Sequence, residues 1–223
     1  MEPASHTFTH PYHWAGGVSA YPPDSKARSR AATANYHGIE GYLWPEGKLN
    51  MEFEIRDSLN YIQKLIPSKA ARTIYLSGNC LPTEEQLAFI LDHGYQVMNG
   101  GDTFFDRQHP SLTYVKPLFR QAGSRHQVYS SNANENVYTH LWSKSFWGMK
   151  RVLETYKNTG HPVRLKPANL YYHFYSFEKW SAYQALETIV KEVLEGPEDY
   201  IQIFPSEFID LVLEFPKIKI TRL

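Results

Sequence analysis

Apolar and polar positions along the chain follow two rhythms, one of about 3.6 residues and one of about 2. Phe53, Leu59, Ile62 and Ile66 make a helical stripe over roughly 51–65, with Asn50 placed to cap it and Pro67 to end it. Residues 73–77, Thr-Ile-Tyr-Leu-Ser, form a short buried-strand pattern, and Gly78–Pro82 reads as a turn. Thr83 and Gln86 have the spacing of a capping box for a helix to His93, and Gly94 stops it. Residues 95–98 predict the next strand, and another follows near 126–130. The pattern then predicts an Asn-rich loop over 131–140, a helix near 146–157 and a strand near 162–173. A long helix is expected over about 177–194, with Tyr183, Leu186, Val190 and Val193 on its buried face. Residues 200–204 read as a strand, Pro205–Ser206 opens a helix to about 214, and Lys217–Leu223 alternates charged and apolar side chains like a strand with one exposed face.

Strands and helices alternate at spacings that suit βα units, so the expected class is α/β with a mainly parallel sheet in one domain over 1–223. Residues 1–10 read as the tail of a strand entering a turn. Residues 12–38 are rich in Gly, Pro, Ser, Ala and Tyr and predict an irregular surface loop that carries His13 and His37 as surface histidines. In parallel sheets, ligands gather at the carboxyl ends of the strands. His6 and His10, Asn99–Asp102, the 131–142 stretch and His173 all fall just after predicted strands, which points to one shared site.

Composition sharpens this only in places. The 223 residues balance 23 Lys and Arg against 23 Asp and Glu, which gives no pull toward nucleic acid or an anionic membrane. Aromatic residues make up 15%, including 16 Tyr and 5 Trp, enough for an aromatic core, a sugar-stacking groove or both. Cys80 is the only cysteine, so no internal disulfide forms. No apolar run is long enough to span a bilayer and no signal peptide precedes the domain; the chain reads as cytoplasmic or as a piece of something longer.

Candidate chemistry centres on Ala4–Ser5–His6–Thr7–Phe8–Thr9–His10–Pro11. Two imidazoles four residues apart can reach one divalent ion, zinc above all, or can simply decorate a surface loop. Pro11 keeps His10 out of the right-handed helix, and Thr7 stands where a zinc-protease helix needs Glu. His173 ends the phrase Leu170–Tyr171–Tyr172–His173, as a packed residue or as a proton donor. Asn99–Gly100–Gly101–Asp102 is a tight turn or a loop beside substrate hydroxyls. Asn134–Glu135–Asn136–Val137–Tyr138–Thr139–His140–Leu141–Trp142 mixes amide, acid, phenol and indole, as a sugar site or an ordinary loop would.

These phrases resemble the polysaccharide deacetylases, the NodB-type carbohydrate esterases of family 4. His6-Thr-Phe-Thr-His10-Pro11 looks like the family's His-Ser/Thr-x-x-His-Pro, and Leu170-Tyr-Tyr-His173 like its Leu-x-x-His. Val97–Thr103, Asn134–Tyr138 and Lys166–Tyr175 are similar to the deacetylase domains of Pel exopolysaccharide modification proteins, and the likeness runs from His6 to about Glu207. It implies a distorted (β/α) barrel and a zinc-like divalent metal held by His6 and His10. His173 would act as general acid, with substrate contacts from Asn99, Asp102, Asn136, Tyr138, Trp142 and Tyr172. The implied activity is metal-dependent N-deacetylation of an acetylated amino-sugar exopolysaccharide outside the cytoplasm.

The family also carries an Asp-Asp or Asp-x-Asp motif that supplies a metal ligand and the catalytic base, and this chain contains neither. The expectation is a deacetylase barrel lacking its first strand, with an open seam that self-association or an upstream fragment covers, and with poor hydrolysis. A non-catalytic polysaccharide-binding remnant is the alternative.

Overall fold

The computed structural model describes residues 2–11, 13–14, 49–129, 135–219 and 221. Its strands are β1 (Ala4–Ser5), β2 (Thr73–Tyr75), β3 (Gln96–Met98), β4 (Phe119–Ala122) and β5 (Arg125–Val128). Its helices begin with α1, a run whose first part, Glu52–Asp57, is wound in wide π turns and whose second, Ser58–Leu65, is α-helical. There follow α2 (Glu84–Asp92), α3 (Glu135–Tyr138), α4 (Val152–Asn158), α5 (Trp180–Glu195) and α6 (Pro205–Glu214). Packing divides the chain into two compact units. The first comprises Met1–Gly100, Phe119–Val128 and Ile203–Leu223; the second comprises Gly101–Leu118 and Tyr129–Gln202.

The first unit holds one five-stranded sheet in the order β1, β2, β3, β5, β4. Its first four members run parallel, with Ile74 opposite Val97 and Met98 opposite Val128, and β4 returns antiparallel to β5. The class is therefore mixed α/β with a mostly parallel sheet, as the alternation of elements predicts. Local signals are used as written. Asn50 Oδ1 accepts the Phe53 amide at 3.1 Å and opens α1. Thr83 and Gln86 close the capping box of α2 in both directions, at 2.9 and 3.3 Å. Ile55, Leu59, Ile74, Leu76, Leu87, Ile90 and Val97 are buried between helices and sheet, each contributing on the order of 1.5–3 kcal/mol. Trp14 joins them at 1% exposure and donates Nε1–H to the Ser77 carbonyl at 3.0 Å. Of the loop expected over 12–38, only His13 and Trp14 are described; His37 and the remainder lie outside the described residues.

The second unit packs helices and short 3₁₀ turns around Tyr138, Met149, Val152, Tyr156, Ala185, Leu186 and Ile189. α5 presents Ala182, Ala185, Leu186 and Ile189 inward, while Tyr183 and Val190 are exposed. The buried face is thus rotated from the expected one. Its alanines let the helix approach the turn Phe146–Arg151, and the Tyr183 ring stacks outward on Trp180 at 5.3 Å.

Four expected elements are corrected. Residues 162–173 form no strand: Pro162 and Pro167 lack amide donors, the Leu165 amide bonds to Thr159 O, and the His173 amide goes to a side chain. Residues 200–204 form none either, because the Phe204 amide bonds to Glu207 and caps α6. Past α6 the chain turns in a 3₁₀ helix, Phe215–Lys217, and the described part of the tail is not a strand. Residues 135–138 are helical rather than loop, while 131–134 lie outside the described residues. β5 lies at the strand expected near 126–130, while its hairpin partner β4 went unforeseen, since Phe-Arg-Gln-Ala carries little apolar alternation. Gly123 makes its turn at φ +58°, where an added Cβ would fall 1.8 Å from the Glu84 carboxyl carbon.

Candidate functional site

In the first unit, His6 follows β1 directly, and its neighbour along the sheet is the end of β2. His6 Nδ1 lies 2.6 Å from the Tyr75 carbonyl oxygen. A carbonyl only accepts, so Nδ1 carries the proton and Nε2 bears the lone pair. The His10 ring stands edge-on to His6 with centroids 4.9 Å apart. The turn between them is unusual: Thr7 has φ +72° and His10 φ +55°, so His10 leaves the right-handed region as Pro11 demands.

Polar side chains hold this turn. Glu54 of α1, with no exposed surface, accepts the Phe8 and Thr9 amides through Oε2 at 2.9 Å each, and the Thr9 hydroxyl through Oε1. Ser5 Oγ donates to Ser58 Oγ at 2.8 Å, and Ser77 Oγ donates to the Pro11 carbonyl at 2.8 Å. Asn99, at the end of β3, is buried; its Nδ2 donates to Leu76 O at 2.6 Å and its Oδ1 accepts the Gly100 amide at 2.8 Å. Its side chain holds the turn it sits in.

The second unit carries a carboxylate–imidazole pair. Glu135 is completely buried at the start of α3. Its Oε1 accepts the His173 amide at 2.8 Å, His173 Nδ1–H at 2.7 Å and Ser176 Oγ–H at 3.1 Å. Charge-assisted bonds of this kind contribute about 1.5–3 kcal/mol each. They fix the ring's rotation and its tautomer, leaving Nε2 as the nitrogen for proton exchange with a ligand. Tyr175 stacks on His173, with centroids 4.7 Å apart and planes 9° from parallel, and Trp142 follows on Tyr175 at 5.1 Å. Tyr175 Oη donates to Asn136 Oδ1 at 3.3 Å. Tyr172 is exposed and its ring meets Phe177 edge-on at 5.6 Å.

The other expected substrate contacts divide. Tyr138 is 1% exposed and belongs to the core of this unit, and burial raises its phenol far above the usual range. Asp102 is half-buried, and burial pushes its carboxyl up to about 6. Gly101 beside it has φ +65°, and a Cβ there would lie 2.0 Å from the Tyr129 ring. A second pair of the same type exists: Asp106 Oδ1 accepts the Gln108 and His109 amides, each at 2.8 Å, and His109 Nδ1–H at 2.9 Å. All three of its bonds close within residues 106–109, which makes it a staple for its own turn.

For a divalent cation, the residues present fit in part. His6 and His10 offer two imidazoles on one short turn, with one ring already oriented by a carbonyl, the usual support of a metal-bound histidine. Among the described residues no group of three or more His, Cys, Asp or Glu side chains is placed to hold a metal ion.

Sequence reasoning missed Glu54 and Glu135. Glu54 left a trace, because it lies on the buried face of α1 beside Ile55 and Ser58, where an unpartnered charge does not survive. Glu135 stood inside the singled-out phrase as its lone acid; its partner 38 residues away is set by the fold. Compared with models of known protein families, with curated proteins and with solved structures, the chain matches none.

Proposed function

We propose that the chain is a metal-dependent polysaccharide deacetylase domain. It removes acetyl groups from the nitrogen of an acetylated amino-sugar exopolysaccharide outside the cytoplasm. The observation that carries the reading is the Glu135–His173 pair. A buried carboxylate holds one imidazole nitrogen protonated, so that the other can hand a proton to a leaving amine. His6 and His10 would hold the divalent ion, zinc by preference, which when bound polarises the acetamide carbonyl and activates water. Asp102 is the base candidate within the chain, since its raised carboxyl is poised nearer neutrality than an ordinary aspartate. Trp142, Asn136 and Tyr172 would contact sugar rings and hydroxyls. The parallel run of β1, β2, β3 and β5 suits part of a distorted, incomplete (β/α) barrel.

A second reading is favoured by the metal donor set of two imidazoles and by the exposed aromatics Tyr172, Phe174 and Trp180, the last 69% exposed. In it the chain binds acetylated polymer without hydrolysing it. The test is acetate release from an acetylated amino-sugar oligomer with added zinc, alongside calorimetric binding of the same oligomer. Zinc-dependent release that His173→Ala abolishes supports the enzyme; binding with no release supports the module. No helix among the described residues is long and apolar enough to cross a membrane.

A further inference from the structure

We infer that Glu54 is the positioning residue of the His6/His10 pair: its buried carboxylate sets the turn so that both imidazoles can meet one divalent cation. The inference rests on the metal reading above and goes beyond it by naming what builds the pair before any ion arrives.

The turn cannot hold itself. Thr7 is β-branched yet has φ +72°, and His10 sits at φ +55°; such residues keep these angles only where their surroundings impose them. Between them, Phe8 and Thr9 direct their backbone amides at one oxygen of Glu54, both at 2.9 Å, and the Thr9 hydroxyl takes the other oxygen. Both carboxylate oxygens are thus spent on the two residues that separate the histidines' flanks. The side chain is completely buried, so desolvation makes each bond costly to lose. Glu54 is itself fixed by the π-wound start of α1, where Asn50 O accepts its amide at 2.9 Å. The rigid end of a helix is thereby wired to the middle of the candidate metal turn, and the ring centroids stand 4.9 Å apart as a result. Loss of a partner bonded directly to a ligating ring weakens metal binding about 10–100-fold; Glu54 acts one step further out, through the backbone between the two rings.

The experiment is a zinc titration by calorimetry, with thermal melts recorded on the same samples of wild type, His6→Ala, Glu54→Leu, Glu54→Gln and Thr9→Val. Glu54→Leu is expected to weaken zinc binding about 10–100-fold. Glu54→Gln, whose carbonyl can still accept both amides, is expected to recover part of that loss. Thr9→Val removes one bond and leaves the carboxylate held by two, so it is expected to bind zinc a few-fold more weakly and to melt lower than wild type but higher than Glu54→Leu. If Glu54→Leu does not fold, Thr9→Val decides. A folded Glu54→Leu, or a Thr9→Val, that binds zinc like wild type overturns the proposal while leaving the metal site standing. Absence of zinc binding in wild type, or binding that His6→Ala does not touch, overturns the metal reading and this proposal with it.

Discussion

Glu135 and His173 are joined twice through a single carboxylate oxygen, which accepts the histidine's backbone amide at 2.8 Å and its Nδ1–H at 2.7 Å. The imidazole can therefore neither flip nor swap tautomers without breaking a part-buried charge-assisted bond. A positioned proton donor needs its ring held in this way.

Glu135→Gln keeps the shape and removes the charge. The expected result is a 10–100-fold fall in any His173-dependent turnover. Nitrogen NMR shifts of His173 should move from a single Nδ1–H tautomer toward a mixture. Glu135→Ala also strands the His173 amide, and denaturant melts should show about 1–3 kcal/mol of destabilisation. A Glu135→Gln protein with an unchanged tautomer would show that the carboxylate does not set it.

Asp102 predicts a pH dependence of stability. Burial raises its carboxyl from 3.8 to about 6 in the folded chain. Between those values the folded state holds a proton that the unfolded state has released, so this group's contribution falls as pH rises from about 4 to 6 and is level above. Asp102→Asn should remove that slope and stabilise the chain at pH 7 by at most about 3 kcal/mol. Urea melts from pH 4 to 7 provide the measurement. Identical slopes in both proteins would refute burial as the cause.

Gly101→Ala tests the turn beside it. At φ +65° with the Tyr129 ring 2.0 Å from the new Cβ, alanine meets both a strained backbone and an occupied space. A loss of about 1–3 kcal/mol from the backbone alone is expected in thermal melts, and more if the ring cannot move. A wild-type melt would contradict this account of why glycine is there.

What could be read from sequence was local. The Thr83–Gln86 box, the Asn50 cap, the apolar runs of β2 and β3 and the Pro205 helix start each encode their structure within a few residues, and each forms as predicted. Strand patterns failed at 162–173 and 200–204, where apolar residues sit beside prolines or spend their amides on side chains. The site was half legible. Histidines stand out in a sequence, but the carboxylates that hold them do not: Glu54 reaches residues 45 and 46 positions away, and Glu135 reaches 38. Such pairings exist only once the chain is folded. Asn99 and Tyr138 resemble site residues in their phrases, yet the fold uses the first to hold a turn and the second to fill a core.

The most direct test of the central claim is acetate release from an acetylated amino-sugar oligosaccharide, measured against zinc concentration for wild type, His6→Ala/His10→Ala and His173→Ala. Wild type is expected to release acetate slowly and only with zinc. Because the chain has no Asp-x-Asp motif to supply a base, the rate should lie about 10²–10⁴-fold below that of an enzyme with a dedicated one. Both variants should release none above background. Release that is independent of zinc, or that survives in His173→Ala, would contradict the central claim.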